Sequence, residues 1–216
     1  MRTDFWQHVH ADLTTGVQED QESYAVPFGG GHLLLPIRAL ADGKRGVASM
    51  ILNQASFDVL DGIADVLAAR LDAFRPQVVI GVPTLGLPLA EAVARRLGHT
   101  RMVPLGTSRK FWYDEDLSVP LTSITSPGGG KRLYLDPRMI PLLQGPVAVV
   151  DDVLSTGSSM AAVLELLNIA GLTPAVIGAA MLQGEVWRRR IGSCRVEGAF
   201  ATPLLARGPE GWLEST

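Results

Sequence analysis

Asp151 and Asp152 stand side by side, and two residues later come Ser155-Thr156-Gly157-Ser158-Ser159. Ionised carboxylates only accept hydrogen bonds, so an adjacent pair suits hydroxyl groups or a hard cation. A run of hydroxyl and glycine residues suits an anion when a helix begins there. The first N–H groups of a helix lack partners and carry the positive end of its dipole. The flanking residues supply the elements that such a site needs. Val147 to Val150 is apolar and mostly β-branched, as in a strand buried on both faces of a parallel sheet. Met160, Val163, Leu164 and Leu167 follow at helical spacing. Strand, acids, turn and helix describe a site for a phosphate with hydroxyls or a metal beside it. The plainer reading is a solvated acidic turn with a capping serine. Capping needs neither the acid pair nor so many hydroxyls.

Val147 to Ser159 resembles the 5-phosphoribosyl-1-pyrophosphate (PRPP) motif of the type I phosphoribosyltransferases: four apolar residues, two acids, two spacers and a hydroxyl–glycine turn. The match runs through the motif without a gap.

The rest of the chain has to place this motif. Thr3 to Leu13 carries Phe5, Trp6, Val9 and Leu13 at helical spacing, with Thr3 as N-cap. On such a helix His8 and His10 point apart and do not share an ion. Residues 16–23 read as a loop, and Ala25 to Arg38 as a glycine turn between short edge strands, since Pro27 and Pro36 argue against a central strand. Ser56 to Arg75 is the clearest amphipathic helix, with Phe57, Leu60, Ala64, Leu67, Leu71 and Phe74 on one face. A second strand–turn–helix follows: Val78 to Val82, the turn Pro83-Thr84-Leu85-Gly86, then Leu89, Val93, Ala94 and Leu97 up to Gly98. Arg101 to Leu105 and Lys131 to Asp136 read as strands, and Arg138 to Leu143 as a helical turn. Between them Ser108 to Gly130 loses periodicity, and a structureless stretch of that length inside a domain is commonly a functional lid. After the motif helix closes at Gly171, Pro174 to Leu182 is a strand. Val186 to Ile191 is a short helix whose Arg188, Arg189 and Arg190 form a solvated face. Arg195 to Ala201 is the last strand, before a polar tail.

Strands alternating with helices predict an α/β fold: a mostly parallel central sheet with helices on both faces. The expected organisation is one domain over residues 1–216, with a small hood from about 16–50 and a mobile lid at 108–130. Ligands then bind beyond the carboxyl ends of the strands. Three segments converge there: the acidic motif, the Pro83 to Gly86 turn with its own helix N-terminus, and the lid with Arg109 and Lys110. Two anion sites and a cationic lid suit a substrate with phosphates at both ends of a ribose.

The resemblance implies transfer of 5-phosphoribosyl from PRPP to a nitrogen of a base, with release of pyrophosphate. It implies that Asp151 and Asp152 hold the ribose hydroxyls, and that Ser155, Thr156, Gly157, Ser158 and Ser159 hold the 5′-phosphate. Pro83, Thr84, Leu85 and Gly86 match the pyrophosphate loop, and Arg109 with Lys110 the start of the catalytic lid. Mg²⁺ is held mainly through PRPP, with Asp151 and Asp152 as further oxygen donors. Val26-Pro27 through Ile37-Arg38 is similar to the base-recognising segment of adenine phosphoribosyltransferases, and Ile51-Leu52-Asn53-Gln54 to a stretch of the xanthine enzymes. Val26, Phe28 and Val153 are therefore the base-side candidates, although Phe28 and Trp112 suit packing as well as stacking on a base. The adenine enzymes carry an Ala-Arg-Gly-like loop at Pro83 to Gly86, and a lid glutamate where Thr122 to Ser126 holds no acid. The implied acceptor is a purine. Orotate or another base, and a PRPP-binding regulator without turnover, are the alternatives.

Composition narrows the partners. A net charge of -3, with no basic stripe, gives no reason to expect nucleic acid or an anionic membrane. The first residues do not resemble a signal peptide, and no apolar run is long enough to span a bilayer. A single cysteine, Cys194, excludes an internal disulfide and suits a reducing cytoplasm. The resemblance adds a homodimer as the expected assembly.

Overall fold

The computed structural model describes residues 2–121 and 131–215. Its centre is a five-stranded, all-parallel sheet in the order β12-β11-β10-β6-β7. Its strands are β6 (Val78–Gly81), β7 (Val103–Pro104), β10 (Val147–Leu154), β11 (Val176–Gln183) and β12 (Val196–Thr202). Three helices cover it: α1 (Phe57–Asp72), α2 (Gly86–Arg96) and α3 (Ser158–Ile169), with a short α4 (Arg188–Ile191) beyond. One core joins α1 and α2 to one face of the sheet, through Leu67, Leu71, Leu89, Val93, Ala148 and Val150. Another joins α3 to the opposite face, through Met160, Val163, Leu167, Val149 and Ile177. Strands buried on both faces explain the unbroken apolar runs of β10 and β11.

The order of the strands matters for the site. From β6 the chain winds outward to β7, whereas from β10 it winds the other way to β11 and β12. The switch point lies between β6 and β10, where open α/β sheets bind their ligands. Register adds a notch. β6 pairs with β10 only from Val147↔Val78 to Val150↔Gly81, while β10 and β11 stay paired through Leu154↔Leu182. Asp151 and Asp152 thus lie inside a long strand, not past its end, and the β6 side has already turned away beside them.

A seven-stranded antiparallel sheet forms the hood. Its strands are β1 (Val9–His10), β2 (Gly16–Val17), β3 (Ser23–Phe28), β4 (Gly31–Ala39), β5 (Arg45–Ala48), β13 (Leu204–Gly208) and β14 (Gly211–Ser215). The order is β14-β13-β5-β4-β3-β2, with β1 on β4. The expected polar tail is therefore a hairpin that completes this sheet, and β12 is not the last strand. Trp212, 6 % exposed, packs on Gly46, and the Tyr24 hydroxyl donates to Glu214 (2.7 Å). A small pair, β8 (Ser118–Pro120) with β9 (Arg132–Tyr134), flanks the lid segment. Among the described residues, no helix is long and apolar enough to cross a membrane.

Several local expectations change. Thr3 to Leu13 is not a helix: the backbone of Trp6 turns to φ 62°, and its N–H donates to the Leu34 carbonyl (3.3 Å). The Trp6 indole donates to the Ser49 carbonyl (3.0 Å), so hood contacts outweigh a helix that is marginal at this length. In this extended segment His8 and His10 share a face, with ring centroids 4.2 Å apart. Among the described residues no cluster of three or more such side chains could hold a metal. β4 is an interior strand; at Pro36 its pairing passes from β3 to β5, which removes the need for the missing N–H. On α1 the buried stripe is Val59, Ile63, Leu67 and Leu71 with Ala64 and Ala68, and Phe57 is 83 % exposed.

Candidate functional site

The site begins with Asp151, buried to 7 % exposure, and half-buried Asp152. The Asp152 N–H donates to Asp151 Oδ1 (2.8 Å). Burial, and then the neighbouring Asp152 charge, push the Asp151 carboxyl well above the usual range; burial raises Asp152 as well. Two acids held so close and so dry call for a ligand that brings donors or positive charge. Across the notch stands Gly86. A Cβ there would meet Asp151 within 3.0 Å, so the glycine lets the α2 N-terminus touch β10.

Two helix N-termini flank the acids. On one side Val82 N–H still donates to the Val150 carbonyl (3.0 Å), then the Pro83–Thr84 peptide is cis, and α2 starts at Gly86. Its N-cap, Leu85, offers no side-chain acceptor. On the other side Gly157 is the N-cap of α3, at φ 77°, and has no side chain to offer, while Thr156 Oγ1 accepts from the Ser158 N–H (3.4 Å). The capping serine of the plainer reading is absent from that position, and an anion can take the remaining N–H groups. Thr156 Oγ1 and Ser158 Oγ lie 3.2 Å apart across the turn. Ser155 Oγ–H donates to Gln183 Oε1 (3.0 Å), while Gln183 Nε2 donates to the Ala48 carbonyl in the hood (2.8 Å).

The lid is described as far as Leu121; Thr122 to Gly130 lie outside the described residues. Arg109 pairs with Glu115 (2.6 Å), both side chains about half exposed, so its guanidinium is held on the lid's own turn. Lys110 is exposed. The base of the lid is fastened. The Trp112 indole donates to Asp136 (3.1 Å), and the Arg138 guanidinium lies 4.4 Å from the Trp112 ring. Bonds from Arg138 first, then from its backbone and Trp112, hold the Asp136 carboxyl down at about 2. That engagement holds the partly exposed Trp112 ring against Arg138 and Asp136.

The base-side candidates separate. Val26 (2 % exposed) and Phe28 (8 % exposed) are core residues; Phe28 stands edge-on to Phe200 (5.8 Å) and against Gly62. Their side chains are occupied by packing in this structure. Val153 is half-buried just after the acids and packs against the core that α1 and α2 share with the sheet. Sequence reasoning missed Gln183, Trp187 and Arg190. A buried glutamine at a strand end carries no motif, and Arg190, exposed with Arg188 and Arg189 as a solvated face expects, also donates to Ser158 Oγ.

The donor set also fits a hard cation in a limited way. Two adjacent carboxylates offer oxygen, yet among the described residues no third ligand stands near, so Mg²⁺ would draw its remaining oxygens from substrate and water.

Comparison with known proteins agrees with this geometry. The family model for the phosphoribosyl transferase domain matches residues 48–191. The chain is 34% identical to the xanthine phosphoribosyltransferase of Chloroflexus aurantiacus over 172 residues, 73% of this chain and 76% of that one. It is 32% identical to the bifunctional protein PyrR of Streptomyces coelicolor over 124 residues, 55% of this chain and 58% of that one. Its fold is similar to the crystal structure of adenine phosphoribosyltransferase from Thermoanaerobacter pseudethanolicus, with TM-score 0.57 and 20% identity over 67% of this chain and 81% of that one. A match spanning both helix N-termini and the acidic pair covers most of the chain, and the chain belongs to the phosphoribosyltransferase family.

Proposed function

We propose that this protein transfers 5-phosphoribosyl from PRPP to a ring nitrogen of a purine and releases pyrophosphate. One observation carries the reading: two helix N-termini whose N-cap residues offer no side-chain acceptor flank buried Asp151 and half-buried Asp152 at the switch point between β6 and β10. That is an anion site on each side of a diol site. The 5′-phosphate takes the Ser155 to Ser159 turn, and the pyrophosphate takes Pro83 to Gly86. Asp151 and Asp152 accept from the ribose hydroxyls.

In the reaction the bond from C1 of the ribose to the pyrophosphate oxygen breaks, and a bond from C1 to the base nitrogen forms. Positive charge develops on the ring and negative charge on the leaving group. The acids oppose the first, while fixed N–H groups and the lid cations Arg109 and Lys110 oppose the second. Arg109 must exchange Glu115 for the leaving group as the lid closes. Bound Mg²⁺, next to Asp151 and Asp152, would supply further charge neutralisation of the pyrophosphate. Val153 borders the acceptor. Similarity to a xanthine enzyme supports a 6-oxopurine as the first base to try. We place the protein as a homodimer in the cytoplasm, where its single cysteine stays reduced.

A second reading is a PRPP-binding regulator without turnover. It is favoured by the lack of any acid in Thr122 to Ser126. The deciding experiment mixes the protein with PRPP, Mg²⁺ and xanthine, hypoxanthine, guanine, adenine or orotate in turn, and assays nucleotide and pyrophosphate. Binding of PRPP with no base consumed leaves the regulator standing; no binding of PRPP removes both.

A further inference from the structure

The Ser155 to Ser159 turn contains no cation, and two acids precede it. A phosphate ester brings a charge near -2 at neutral pH, which uncharged N–H groups and hydroxyls offset only in part. The structure supplies a cation from another element. Arg190, 32 residues further along the chain, donates from Nη1 to Ser158 Oγ. Among the described residues no carboxylate pairs with Arg190, whereas nearby Arg188 is engaged by Glu185 (3.3 Å) and lies over the Trp187 ring (4.5 Å).

The support under Arg190 is rigid. Trp187, 3 % exposed, and Ile191, 4 % exposed, anchor α4 in the core it shares with α3. The Trp187 indole donates to the Gly184 carbonyl (2.9 Å). Trp187 also backs the phosphate turn: a Cβ on Gly157 would fall 3.1 Å from the Trp187 Cα. The packing that fixes the turn thus also places the backbone of α4, from which the exposed Arg190 side chain reaches the turn.

We propose that Arg190 is a direct ligand of the 5′-phosphate. The proposal rests on the reading of Ser155 to Ser159 as the turn that holds this group. In the free protein the guanidinium rests on Ser158 Oγ, which acts as acceptor and leaves its own proton to point elsewhere. When the phosphate arrives, the planar fork of the guanidinium matches two of its oxygens, a fit a lysine lacks. Arg190 thereby gives the phosphate subsite the charge that its own turn cannot.

The test titrates the intact protein with ribose 5-phosphate, with PRPP plus Mg²⁺, and with pyrophosphate, comparing wild type, Arg190→Met, Arg190→Lys and Arg189→Met. Losing a charge-assisted pair should weaken ribose 5-phosphate and PRPP by about ten- to a hundredfold in Arg190→Met, with pyrophosphate unaffected. Arg190→Lys should recover part of the loss. Arg189→Met, which removes a neighbouring exposed charge, should stay within about twofold of wild type. Equal ribose 5-phosphate affinity in wild type and Arg190→Met overturns the proposal, and so does an equal loss in Arg189→Met, which would mean a general field. If wild type binds neither ribose 5-phosphate nor PRPP, the reading of the turn itself is wrong and Arg190 falls with it.

Discussion

Gly86 faces Asp151 so closely that a Cβ on the glycine would lie 2.8 Å from the Asp151 Cα and 2.9 Å from its Oδ1. The nearest obstacle is backbone, which cannot rotate out of the way. Gly86→Ala must push the α2 N-terminus away from β10. We expect a stability loss of about 1–3 kcal/mol, the usual result of overpacking. Turnover should fall by more than about tenfold, since catalytic groups tolerate little displacement. Thermal melts and a pyrophosphate-release assay check both; an unchanged rate would show that the two loops do not work as one site.

Asp151→Asn and Asp152→Asn should each lower turnover at least about a hundredfold while the fold persists. The pair also makes a pH prediction. Its carboxyls are raised by burial, Asp151 the more, so from about pH 4 upward the folded state binds more protons than the unfolded state. Stability of the empty protein then falls as pH rises through that window. Asp151→Asn removes the larger part of that titration, so it should melt above wild type at neutral pH, with the gap closing toward about pH 4. A wild type whose melting point is flat over that range would contradict the burial argument.

Asp136 behaves in the opposite sense. Arg138 and Trp112 hold its carboxyl at about 2, below its unfolded value, so its contribution is present above about pH 4 and lost as pH falls from there toward 2. Trp112 reports on this directly, because its indole donates to that carboxylate. Tryptophan emission should show an acid transition that both Trp112→Phe and Asp136→Asn lack. If the transition survives in either variant, the fastening of the lid's base lies elsewhere.

Phe28→Ala should cost about 3–5 kcal/mol, as a buried aromatic does, with no selective change in KM among bases. Melting curves and base kinetics on the same variant decide the matter. A large base-specific KM change with an unaltered melting point would restore Phe28 to the acceptor site.

The donor side was legible because its chemistry is local. β10, the acids and the turn lie in one stretch, Val147 to Ser159, and each part signals its element by composition. The loop at Pro83 to Gly86 was legible for the same reason. The hood was read poorly. Thr3 to Leu13 has helical spacing, but it is held by partners more than twenty residues away: Leu34, Ser49 and Ser56. Phe28 and Val26 looked like ligand residues because their packing partners, such as Phe200, are remote in sequence. Arg190 was hidden by two adjacent arginines; only the turn of α4 selects which one reaches Ser158.

The hood has one more consequence. Its strands come from both ends of the chain: residues 9–48 supply five of them, and residues 204–215 supply the outer two. The family model begins at residue 48 and stops at 191, so nearly all of the hood falls outside it. The molecule is thus modular in space but not in sequence. The donor machinery occupies one continuous middle, and the hood is a cover stitched from the two margins. Substitution in either margin alters that cover while β6, β10 and their two turns keep their sequence.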